Sequence, residues 1–176
     1  MPTIYNLKPK FQQLLRPLIA TLHRHGITAN QVTLTAMLGS MAYGTWMFCF
    51  PTDVVPFLIL PIFMFVRMAL NAIDGMLARE YHQQSALGAI LNEMGDVVSD
   101  VALYAPFAVL PGIHPGIVMG IIFLSILTEF MGVLGQVIGG GRRYDGPVGK
   151  SDRAFIFGAL GLLIGLRFPI QAYINP

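Results

Sequence analysis

The 176-residue chain is 55% hydrophobic and only 11% charged, with a mean hydropathy of +0.64, which excludes an ordinary soluble domain of this length. The formal charge of +2 and the single cysteine point to no nucleic-acid partner and rule out an intrachain disulfide; Cys49 reads as a packed small apolar residue. The expected fold is all-α, a polytopic membrane helical bundle.

Residues 7–24 place Leu7, Phe11, Leu14, Leu15, Leu18 and Leu22 on one side and Lys10, Gln13, Arg16 and Arg24 elsewhere. This amphipathic pattern is too short and polar to span, so residues 1–27 are expected to form a cytoplasmic interfacial segment. Pro17 removes a backbone donor and is expected to kink or divide the helix. The membrane domain then occupies residues 28–176, with Thr28 or Asn30 as the cap of its first helix.

A bilayer core of about 30 Å requires roughly 20 apolar residues per spanning helix. Five stretches qualify approximately: Val32 to Phe50, Pro56 to Ala78, Leu87 to Leu110, Gly116 to Ile138 and Ala154 to Ile170. Trp46 falls near the outer boundary, where an amphipathic ring is comfortable. Lys and Arg gather before the first span, at Arg79, and between the fourth and fifth spans, whereas the 51–55 and 111–115 connections carry none. The positive-inside rule puts the N-terminus and the 79–86 and 139–153 loops in the cytoplasm.

Two spans carry polar stripes that lipid does not explain. Arg67, Asn71 and Asp74 share one face of the second span; Gly88, Asn92, Asp96 and Ser99 share one face of the third, with Glu93 and Asp100 displaced to a flank. A charge inside the membrane costs about 3 kcal/mol on insertion scales, so such stripes should face a bundle interior or watery cavity. The short 79–85 loop predicts an antiparallel hairpin that brings both stripes to one pocket at its cytoplasmic end. Glu129 in the fourth span is expected to pair with Arg67 or a cavity water. The loop Gly139-Gly-Gly-Arg142-Arg143-Tyr-Asp-Gly-Pro-Val-Gly-Lys150-Ser-Asp-Arg153 combines free amides and cations in a way that suits phosphate. Ala154, Gly158, Gly161 and Gly165 mark a close helix contact in the fifth span. Acids on neighbouring helices beside a basic loop suit a divalent cation that bridges protein to phosphate.

Asn71-x2-Asp74-Gly75-x2-Ala78-Arg79-x8-Gly88-x3-Asn92-x3-Asp96 resembles the signature of the CDP-alcohol phosphatidyltransferases, Asp-x2-Asp-Gly-x2-Ala-Arg-x8-Gly-x3-Asp-x3-Asp. Thr28-Ala29-Asn30-x2-Thr33 is similar to that family's first-helix Thr-Pro-Asn-x2-Thr pattern, and the loop through Arg153 resembles its YnbA-type bacterial branch. The resemblance implies a multi-pass protein of a bacterial inner membrane, with the active site facing the cytoplasm and a homodimeric assembly. It implies phospholipid biosynthesis, by transfer of a phosphatidyl group from CDP-diacylglycerol or another CDP-alcohol to an acceptor alcohol, phosphorylated or not, with release of CMP.

In that framework Asp96 is the base; Asp74, Asp96, Asn71 and Asn92 face Mg²⁺ or Mn²⁺, one or two ions; Asn30, Thr33, Asp74, Gly75, Ala78, Arg79 and Gly88 line the CDP site; and Arg142, Arg143, Lys150 and Arg153 meet the acceptor's phosphate. The chain departs from the family pattern where Asn71 and Asn92 replace two signature acids, which lowers the expected metal affinity, and where five spans are visible against a family norm of six. Two alternatives follow: a catalytically impaired CDP-lipid-binding scaffold or partner subunit, and an intramembrane prenyltransferase, whose diphosphate motif Asn71-x2-Asp74 superficially resembles.

Overall fold

The computed structural model describes residues 7–139 and 149–167, and the regular elements among them are all helical. They are α1 (Leu7–Arg24), α2 (Ala29–Cys49), α3 (Val54–Glu80), α4 (Ala86–Tyr104), α5 (Pro115–Val137) and α6 (Lys150–Gly165), with a 3-10 turn over Ala105–Val109. The first four apolar stretches coincide with α2 to α5 within a few residues. In the third, the α-helix ends at Tyr104 and tightens into the 3-10 turn, because Pro106 withholds the amide that would continue it. The fifth helix starts four residues before the apolar pattern, where the Asp152 carboxylate accepts the Gly149 amide proton at 3.0 Å.

Pro17 does not divide α1, which is continuous over Leu7–Arg24. Leu15 and Ile19, on either side of it, are buried against Ile73, Met76 and Leu77 of α3, and this docking offsets the lost hydrogen bond. The Phe11 and Phe65 rings, 5.8 Å apart, extend the same contact. Cys49 is also not packed; it is exposed at the end of α2.

α3 and α5 are each long and apolar enough to cross a membrane, and only 28% of the most apolar window of each is buried. Ile62, Phe65 and Met68 of α3, and Ile117, Phe123 and Phe130 of α5, point outward. An apolar exterior of this extent suits the environment of a polytopic membrane bundle.

The expected α3–α4 hairpin is not the principal packing unit. α2 lies against both α3 and α4, and α6 lies against α3, whereas α3 and α4 scarcely approach each other as backbones. Small residues permit the close contacts. A Cβ on Gly44 of α2 would collide with the Ala102 carbonyl of α4; one on Gly161 or Gly165 of α6 would meet Leu60 at 2.7 Å or the Leu58 backbone at 2.6 Å. Between α3 and α4 this leaves a polar seam crossed by side chains. An apolar cluster containing Phe57, Leu60, Leu103, Tyr104 and Phe157 closes one end of it, and the α1–α3 cluster flanks the other.

Candidate active site

The site begins at the start of α2. Thr28 caps that helix by accepting from the Gln31 amide at 3.3 Å, while its own amide donates to the Gln31 side chain at 2.9 Å. The next amide, of Ala29, donates to Gln83 Oε1 at 2.7 Å, which ties this end of α2 to the α3–α4 connection. Asn30 and Thr33 consequently turn inward. Asn30 Oδ1 lies 2.7 Å from where a Cβ on Gly88 would stand, so the missing side chain at residue 88 makes the approach possible. Thr33 donates from its hydroxyl to Asp74 Oδ2 at 2.7 Å.

Asp74 is 3% exposed, and its other oxygen, Oδ1, is buried without a hydrogen-bond partner. An ionised oxygen in that position is costly unless something arrives to satisfy it. Asp96 and Lys150 are within electrostatic range.

Asp96 reaches into the seam from α4 and is heavily engaged. Its Oδ1 accepts from Asn71 Nδ2 at 2.8 Å and lies 3.5 Å from an Arg67 nitrogen, while its Oδ2 is paired with the Lys150 ammonium. Asn92, one helical turn earlier, is partly buried on the same helix. The Arg79 guanidinium folds back over Gly75, within 3.1 Å of where a Cβ would stand, and is exposed. Ala78 packs with the α1–α3 apolar cluster.

Deeper in the bundle, Arg67 donates to Asp100 Oδ1 at 2.6 Å and to the Asp96 carbonyl at 3.2 Å. Arg153 of α6 donates to Glu129 Oε1 at 2.8 Å and to Thr128 Oγ1 at 3.1 Å, with Asp100 Oδ2 3.7 Å away. This corrects two expectations. The partner of Glu129 is Arg153, because α6 inserts its first turns beside α4 and α5, and Asp100 is buried at the centre of the ion pairs instead of on a flank. Arg153 is thus anchored inside the bundle, and Lys150, three residues earlier, stands nearer water with 29% of its side chain exposed. Arg142 and Arg143 lie outside the described residues.

The donor groups fit one divalent ion. Asp74 Oδ1 offers a free, anionic, buried oxygen, and the amides of Asn71 and Asn92 add neutral oxygens of the kind that Mg²⁺ accepts. Asp96 has both oxygens occupied, and among the described residues no three acidic, histidine or cysteine side chains gather into a ready-made cluster.

The family model described as CDP-alcohol phosphatidyltransferase matches residues 26–174. The chain is 53% identical over 164 residues to the inner membrane protein YnbA of Escherichia coli K12, covering 93% of this chain and 81% of that one. It is 25% identical over 156 residues to the archaetidylinositol phosphate synthase of Aeropyrum pernix, covering 88% and 77%. An uncharacterized protein of Aquifex aeolicus is 28% identical over 131 residues, covering 70% and 61%. No solved structure matches.

Proposed function

The chain belongs to the CDP-alcohol phosphatidyltransferase family, and from that premise we propose that it transfers a phosphatidyl or related phospho-alcohol group from a CDP-linked donor to an acceptor alcohol in an inner membrane. α2 to α6 cross the bilayer, α1 lies at its surface, and the seam between α3 and α4 opens to the cytoplasm. The observation that carries the reading is Asp74, with its unsatisfied buried oxygen, facing Asp96 across a seam where Gly75 and Gly88 let the polar side chains of Arg79 and Asn30 come close to the helix backbone.

The CDP moiety enters over Gly75 and Gly88, where Asn30 and Arg79 supply polar contacts and Thr33 fixes the Asp74 carboxylate. Asp74, with the amide oxygens of Asn71 and Asn92, would hold Mg²⁺ or Mn²⁺. When bound, the ion supplies charge neutralisation for the donor's pyrophosphate. The acceptor hydroxyl oxygen forms a bond to the phosphorus that carries the lipid, the bond from that phosphorus to the bridging oxygen breaks, and CMP leaves with the electron pair. Asp96 takes the hydroxyl proton as general base; Asn71 orients it through the 2.8 Å hydrogen bond. The acceptor approaches from the Lys150 side, and Arg142 and Arg143 are the candidate cations of the sequence for an acceptor that carries phosphate.

The purified protein incubated with CDP-diacylglycerol, Mg²⁺ or Mn²⁺ and a panel of alcohols is expected to release CMP and yield a product whose mass identifies the acceptor. Asp96→Asn is expected to abolish the release. A second reading, a CDP-lipid-binding scaffold, draws on Asn71 and Asn92 standing where two acids are usual. Tight donor binding without turnover across the panel would establish it in place of the first. The prenyltransferase reading does not survive the family match, which takes in the whole Asn71 to Asp96 stretch.

A further inference from the structure

We infer that Lys150 is the resident counter-cation of Asp96, an ammonium built into the chain that restricts the site to a single divalent ion bound at Asp74. The inference deepens the reading above and rests on it.

The balance of charge in the seam carries the argument. Asp74 and Asp96 bring two negative charges to a region where Asn71 and Asn92 bring none. Lys150 meets Asp96 Oδ2, and Asn71 and Arg67 occupy Oδ1. Both oxygens of the carboxylate are therefore already contacted by donors, two of them cations that compete with a metal for the same charge. Asp74 has the opposite environment: Thr33 takes one oxygen, and the other is buried and empty of partners.

The position of Lys150 is held by the fold. Gly149 and Asp152 start α6 at this residue, and Arg153, on the next turn of the same helix, is fixed between Glu129 and Asp100. Residues i and i+3 of a helix share a face, so the anchorage of Arg153 delivers Lys150 to Asp96. An ammonium in contact with a carboxylate repels a dication from the same oxygen, and in a partly buried site the effect is large. The pair is also accessible, since 29% of the Lys150 side chain and 14% of the Asp96 side chain are exposed. A negatively charged acceptor can therefore draw the ammonium away and release Asp96 as a base.

The test is Mn²⁺ binding to the full chain in detergent, followed by calorimetry and by electron paramagnetic resonance, with and without CMP. The wild type is expected to bind one ion. Lys150→Gln is expected to raise Mn²⁺ affinity on the order of tenfold, whereas Lys150→Arg stays at the wild-type value. Asn71→Asp with Asn92→Asp is expected to remain at one ion while Lys150 is present and to gain a second when Lys150→Gln is added. Two ions in the wild type, or unchanged Mn²⁺ affinity in Lys150→Gln, would overturn the inference. Should Lys150→Gln fail to fold, Asn71→Asp with Asn92→Asp in the presence of Lys150 decides, and a second ion bound there would overturn the inference. The underlying reading fails separately: one ion whose affinity is indifferent to CMP leaves Lys150 in the role stated here and removes the nucleotide site.

Discussion

Two groups of charge lie in the same bundle and are built on different principles. In the inner group, Arg67, Asp100, Arg153 and Glu129 are all buried, and each meets an opposite charge. In the outer group, Asp74 keeps a buried oxygen without a partner, and Asp96 is held by a lysine that reaches toward water. A set of buried ion pairs of this kind fixes helices relative to one another, because breaking any member strands its partner in a medium that cannot solvate it. An open set retains binding capacity at a cost in stability, which is how a site for an anionic ligand and its cation is maintained. The proposed chemistry is therefore assigned to the outer group, and the inner group holds α3, α4, α5 and α6 in the arrangement that it needs.

The sharpest way to break this distinction is Arg153→Ala. It leaves Glu129 and Asp100 short of a cation and is expected to cost about 3–5 kcal/mol, read as loss of the folded monodisperse peak and a lower melting temperature in detergent. Retained stability with lost transfer would move the inner group into the chemistry. Asp74→Asn is expected to do the reverse. CMP release should fall by about a hundredfold or more, with a melting temperature close to the wild type, since the Thr33 hydroxyl can still donate to the amide oxygen. The smallest effect is expected from Gly88→Ala, whose methyl group would crowd Asn30 Oδ1 and Ser85 Oγ at 2.7 and 3.0 Å. A loss of about 1 kcal/mol in CDP-donor affinity, measured by calorimetry, fits a glycine that keeps the entrance open; an unchanged affinity would place the donor elsewhere.

Much of the fold was legible because its physics is local. Apolar runs of bilayer length became α2 to α5, and Thr28, one of the two expected caps, closes the start of α2. The polar stripes of α3 and α4 also face one another, as the three- and four-residue steps require. What spacing misjudged was pairing across helices. The acids and cations that look interchangeable in the sequence differ in the structure, where Arg153 belongs with Glu129 and Lys150 with Asp96.

Asp100 shows the limit most clearly. Read from spacing as a flank residue beside the Asn92 and Asp96 stripe, it becomes the centre of the inner group only because α6 brings Arg153 against it. The seam itself has the same origin. A short loop argues for a tight α3–α4 hairpin, but the glycines of α2 and α6 allow those helices to pack closely on the flanks. α3 and α4 then remain apart, with side chains and not backbones meeting between them.

By itself the sequence determined that the chain is a membrane bundle, which residues are polar within it, and, through the spacing from Asn71 to Asp96, the family to which it belongs. Only the tertiary structure decided which of those charges are satisfied and which are left open. Helical periodicity fixes the face a side chain presents, whereas its partner is set by a neighbouring helix whose position depends on packing along the whole bundle.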